Sequence, residues 1–89
     1  MAHSASAKKR IRQNISHRAL NRWRLRGMRD AMKVFHEAIL HGSNDEAKEA
    51  YRKVSSAIDR TAKSGVIHKS QAARRKSRLN ARLKAKVTA

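Results

Sequence analysis

The sequence predicts an all-α chain, an antiparallel three-helix bundle with a long, protruding N-terminal helix. Composition is the first reason: 89 residues hold no proline, one Trp, one Tyr and one Phe, and many helix-favouring Ala, Arg, Lys and Leu. They offer none of the β-branched runs or period-two alternation of a sheet. The second is the stretch Ala5 to His41, which passes with Gly27 as its single glycine. As one helix it is about 55 Å long, whereas a compact fold of this chain is only about 25–30 Å across, so part of it must lie outside any core. The third is charge. Residues 1–29 carry nine basic and no acidic side chains, residues 30–59 four basic and six acidic, and residues 60–89 ten basic and none acidic.

Met1 to Ser4 are expected to fray, because Ser4 or Ser6 is the first good N-cap and nothing upstream supplies apolar bulk. The first helix then has two unlike halves. From Leu25 the large apolar residues fall at Leu25, Met28, Met32, Phe35 and Ile39, in steps of three and four that share one face. Before Leu25 the row Ile11, Ile15, Ala19, Trp23 advances in steps of four only, drifting about 40° per step and ending far from the Met28–Phe35 face. Residues 5–24 thus read as a basic helical extension, poorly ordered until bound, and residues 25–87 as the bundle. Trp23 is expected to pad the root of that bundle, although stacking on a base or an Arg is the other reading.

Leu40-His41-Gly42 is expected to end the helix with a left-handed Gly42, and Ser43 with Glu46 forms a capping box that opens the next. Helices one and two therefore make a tight antiparallel hairpin. Helix two, 44–64, places Ala47, Ala50, Tyr51, Val54, Ala57 and Ile58 on a core face. Its other face reads as solvent, with Glu49–Lys53 and Asp59–Lys63 as supporting pairs worth about 0.2–0.5 kcal/mol each. Gly65 ends it, and Val66-Ile67 is a short apolar plug. Helix three, 69–87, carries Ala72, Leu79 and Leu83 on one face. Arg75, Lys76 and Lys86 flank that seam, while Arg74, Arg78 and Lys84 point away from it.

A net charge of +17 sorted into two acid-free ends opposes itself unless a polyanion neutralises it, so the expected partner is nucleic acid. A membrane-bound amphipathic helix needs a broad Leu/Phe/Trp face, and the apolar residues of the first half are scattered round the helix instead. No apolar run approaches the roughly 18–20 residues of a bilayer span, and no signal-peptide h-region follows the basic N-terminus, so the chain is expected in the cytoplasm. There is no cysteine, and no two of the five histidines stand three or four apart. Neither a metal site nor a cofactor is expected. Six acids, most of them outward-facing or at caps, leave little from which to build a catalytic pocket, and an enzyme is not expected.

Ser6-Ala7-Lys8-Lys9-Arg10, the turn at Gly42 and above all Gly65-Val66-Ile67-His68-Lys69 leading into Ala72-Ala73-Arg74-Arg75-Lys76-Ser77-Arg78-Leu79 resemble the bacterial small-subunit ribosomal protein family numbered twenty. The resemblance covers nearly the whole chain, with Trp23 and Gly27 as departures from the family pattern. It implies a three-helix bundle with an extended first helix that binds 16S ribosomal RNA directly and helps the 5′ domain fold. It also implies a monomer in the ribosome, with few protein contacts. Lys8, Lys9, Arg10, Arg12 and the run from Lys69 to Arg78 would then sit on phosphates. With the remaining cations, the candidate RNA-binding set is Lys8, Lys9, Arg10, Arg12, Arg18, Arg22, Arg24, Arg26, His68, Lys69, Arg74, Arg75, Lys76, Arg78 and Arg82; His68 is either a cap or a phosphate contact. The expected mechanism is electrostatic and shape-directed, with little base readout. A nucleoid-type DNA-compacting protein is the alternative with the same cations, though no oligomerisation surface or repeat for bridging duplexes is evident.

Overall fold

Ser4 sits in extended backbone (φ −83°, ψ 154°) and its hydroxyl accepts from the Ala7 N–H at 3.2 Å, which starts the first helix at Ala5. The structure, a computed structural model, describes residues 4–89; the fraying expected of residues 1–3 lies outside them. Three helices follow in order: α1 (Ala5–His41), α2 (Asn44–Lys63) and α3 (Lys69–Thr88). None of the described residues is in a strand.

α1 is continuous through Gly27, and its two halves have different surroundings. Met28 and Phe35 are buried, with Leu25, Met32 and Ile39 packed partly buried around them, as steps of three and four require. Upstream of Leu25, Ile11, Ile15, Leu20 and Trp23 are all exposed. The expectation that Trp23 pads the bundle is overturned: it is 70% exposed. Five residues separate it from Met28, about 140° round the helix, so it cannot share that seam.

The turn into α2 corrects a second expectation. Gly42 is extended (φ −88°, ψ 171°), not left-handed. Glycine fits here for lack of room: a Cβ would lie 2.7 Å from Glu46 Oε2 and 2.8 Å from the Ala38 carbonyl oxygen. That Glu46 oxygen accepts from the Ser43 N–H, while the Glu46 N–H donates to Ser43 Oγ, both at 3.2 Å. The carboxylate that closes the capping box fills the space a side chain would need.

α2 is the central element. It buries Ala47, Ala50, Val54, Ala57, Ile58 and Thr61, the Thr61 hydroxyl donating to the Ala57 carbonyl at 2.7 Å. It ends in a Schellman motif at Gly65 (φ 83°), where the Gly65 N–H reaches the Ala62 carbonyl at 3.0 Å and the Val66 N–H that of Thr61 at 3.2 Å. The expected Glu49–Lys53 and Asp59–Lys63 pairs are replaced by others. Glu49 accepts from Arg52 at 2.9 Å, and Asp59 accepts from Lys76 of α3 at 2.9 Å.

Ile67 is buried as the plug between α2 and α3, and α3 adds Ala72 and Leu79 to the core with Leu83 beside it. Tyr51 is only half-buried, its ring 6.0 Å from that of Phe35 and its hydroxyl 3.5 Å from the Lys76 carbonyl oxygen. α2 packs extensively on both neighbours, whereas α1 and α3 touch sparsely. The molecule measures 63 × 22 × 16 Å with a radius of gyration of 17.6 Å. A compact chain of this length has a radius of about 12 Å, and the projecting N-terminal half of α1 makes the difference.

Candidate nucleic-acid interface

The cations expected from the sequence fall into two settings. Along the projecting half of α1, Lys8, Lys9, Arg10, Arg12, Arg18 and Arg22 are exposed and none pairs with a carboxylate among the described residues. From Lys8 to Arg22 the helix carries six cations and no acid, and all six are exposed. α1 and α3 also lack acidic residues in their first turns, so their dipoles add to the positive field there. α2 differs: Asp45 and Glu46 stand in its first turn. With Glu37 and Glu49 they gather the acids at the hairpin end, at the opposite end of α1 from its basic half.

α3 is more engaged with its own protein. Lys69, Arg74 and Arg78 are exposed and carry no carboxylate partner among the described residues. Lys76 holds both Asp59 oxygens, at 2.9 and 3.2 Å, so this expected phosphate ligand already has a counter-ion. Arg82 donates through Nη1 to His36 Nδ1 at 3.0 Å. His68 is the N-cap of α3, its Nδ1 accepting from the Ser70 N–H at 3.1 Å, which gives it the capping role of the two open to it.

The two helices meet at one groove. Arg22, Arg26, Arg29 and Lys33 line it from α1, and Arg75 from α3, over Leu25 and Met32. Spacings of four, seven and eleven from Arg22 put these four on one stripe of the helix. Arg75 Nη1 lies 3.9 Å from Met32 Sδ, and its buried Nε has no hydrogen-bond partner among the described residues. A guanidinium is always charged, so Arg75 is half-buried with donors to spare. Asp30 is the acid at the groove, against five cations.

The structure therefore brings Arg22, Arg26 and Arg75 together and leaves Lys8, Lys9, Arg10, Arg12 and Arg18 strung outward. Lys8 and Arg26 are about 27 Å apart along the axis. Arg24 turns from this groove to the other side of α1, towards the end of α2. Arg29 and Lys33 were not among the candidates, although their spacing from Arg22 was the signal for them. Rows of guanidinium and ammonium groups on rigid helices can neutralise successive phosphates, which suits a folded polyanion. No group of His, Cys, Asp and Glu able to hold a metal ion occurs among the described residues, and no described helix is long and apolar enough to cross a membrane.

Comparison with known proteins points the same way. The family model described as ribosomal protein S20 matches residues 2–84. The chain is 49% identical over 85 residues to the small ribosomal subunit protein bS20 of Acinetobacter baylyi, covering 96% of each chain. It is 45% identical over 85 residues to the protein of that name from Nitrosomonas eutropha, covering 96% of this chain and 98% of the relative.

Proposed function

Because this chain belongs to the ribosomal protein S20 family of the bacterial small ribosomal subunit, we propose that it binds 16S rRNA directly through α1 and α3 and helps the 5′ domain fold. The family is a structural one of the ribosome in the cytoplasm, not an enzyme class. The chain acts as one helical RNA-binding domain, residues 5–24 as the arm and 25–87 as the bundle, and serves as a monomer with few protein contacts.

The observation that carries this reading is the supply of exposed cations without counter-ions on two helices that converge on the groove at Arg22, Arg26 and Arg75. Folding a compact RNA domain brings phosphates close together, and a basic helix laid between them lowers that repulsion. The arm reaches phosphates remote from the bundle, and the groove holds those close to it. Base edges in A-form RNA are hard to reach, so affinity comes from backbone and shape.

Nuclease and chemical footprinting on small-subunit rRNA tests it: discrete protections within the 5′ domain are expected. Diffuse protection, or equal competition by random duplex DNA at the same salt, would transfer the cations to a DNA-compacting role.

A further inference from the structure

On the face of α1 away from the Arg75 groove, a second groove runs between α1 and the C-terminal half of α2. Trp23 stands on its edge, a large indole with most of its surface in solvent and no aromatic ring among the described residues paired with it. One turn further on, no atom outside its own stretch of helix stands within 4 Å of where a Gly27 Cβ would be, and Ala31 continues the small-residue floor. The groove thus has an open aromatic face beside empty space. Arg24 of α1 and Lys53, Arg60 and Lys63 of α2 line it, and none of its lining residues is acidic.

Resting on the reading that the chain binds rRNA, we propose that this groove is a second RNA contact, in which an unpaired nucleobase stacks on Trp23 while its flanking phosphates sit on Arg24, Arg60 and Lys63. An indole exposed to water gains by covering its face with a flat π-system, and every base has one. A purely apolar partner leaves four cations without counter-charge, and a duplex cannot offer a base face without unstacking. An unpaired nucleotide satisfies both the ring and the cations. α2, whose outer face the sequence marked as plain solvent, becomes part of the interface.

Trp23 is the chain's single tryptophan, so its fluorescence reports on this site alone. A labelled transcript of the 5′ domain of small-subunit rRNA, titrated with full-length protein, gives binding by anisotropy and stacking by quenching of indole emission in one experiment. Quenching that tracks binding is expected. Trp23→Leu, which keeps apolar bulk without a π-face, is expected to weaken binding about 5- to 100-fold with the salt slope unchanged, whereas Trp23→Phe retains most of the affinity. Replacing Arg24, Arg60 and Lys63 together by Gln lowers the slope of log affinity against log salt by about 2–3. Binding without a change in emission, or a Leu variant that binds like the parent, overturns this inference and leaves rRNA binding standing. Absence of binding by anisotropy overturns the rRNA reading itself.

Discussion

The arm of α1 and helix α3 hold almost the same charge per residue and yet end in different circumstances. In α3 the seam of Ala72, Leu79 and Leu83 repeats at helical spacing, so the helix is drawn onto α2 and its flanking cations acquire protein partners: Lys76 takes Asp59, and Arg82 takes His36 of α1. In the arm the apolar row drifts round the axis, and every cation from Lys8 to Arg22 stays in water. Apolar periodicity, not charge, decides which basic helix packs on the rest of the protein and which stands clear of it.

The largest test of that contrast is on stability. Phe35→Ala or Val54→Ala removes a fully buried side chain and should cost about 2–4 kcal/mol, close to the whole stability of so small a bundle. Ile15→Ala, at a site 63% exposed in the arm, should change the thermal midpoint by an amount worth less than about 0.5 kcal/mol. Equal effects from the two would mean that the arm packs.

Binding gives the next largest difference. Changing Lys8, Lys9, Arg10 and Arg12 to Gln should reduce the salt slope of RNA affinity by about 3–4, since each lost phosphate contact removes roughly 0.7–0.9 of a counterion. Arg74 and Arg78, the exposed pair of α3, should reduce it by only about 1.5–2 when both are changed. A reversed order in filter binding would make α3 the principal surface. Amide exchange should show the same contrast without RNA, fast along residues 5–24, where only local helical bonds hold the backbone, and slow in α2.

Much of this was legible in the residues. Ser4, the Ser43–Glu46 box and Gly65 mark helix ends by chemistry that acts over three or four residues, and the Met28–Phe35 spacing marks the seam. What escaped is instructive. The step-of-four row already carried Trp23 off the core face, so its exposure followed from a pattern that the habit of packing tryptophan inside overrode. Gly42 was assigned a backbone angle when the constraint was room: a Cβ would stand 2.8 Å from the Ala38 carbonyl oxygen, a close backbone approach that local spacing does not give. Lys76 with Asp59 spans 17 residues and depends on how α3 registers on α2, which local spacing cannot supply.

Smaller effects sharpen the comparison. Gly27→Ala adds a methyl where nothing outside its own stretch of helix stands within 4 Å and should stabilise α1 by about 0.5–1 kcal/mol in thermal melts followed by circular dichroism. Least of all, Asp59→Asn breaks an exposed ion pair, so it should cost at most about 0.5 kcal/mol, while freeing Lys76 to strengthen RNA binding slightly.

The unbroken run of α1 through Gly27 has a mechanical consequence. The arm is a lever about 30 Å long fixed in the bundle, so a 10° tilt at its root swings Lys8 through about 5 Å, roughly one phosphate spacing on an RNA strand. Gly27 sits just inside the fulcrum, where it has no side chain to brace the root of the arm. Under the proposed rRNA binding, the seating of the bundle on one part of the RNA sets where the tip arrives on another.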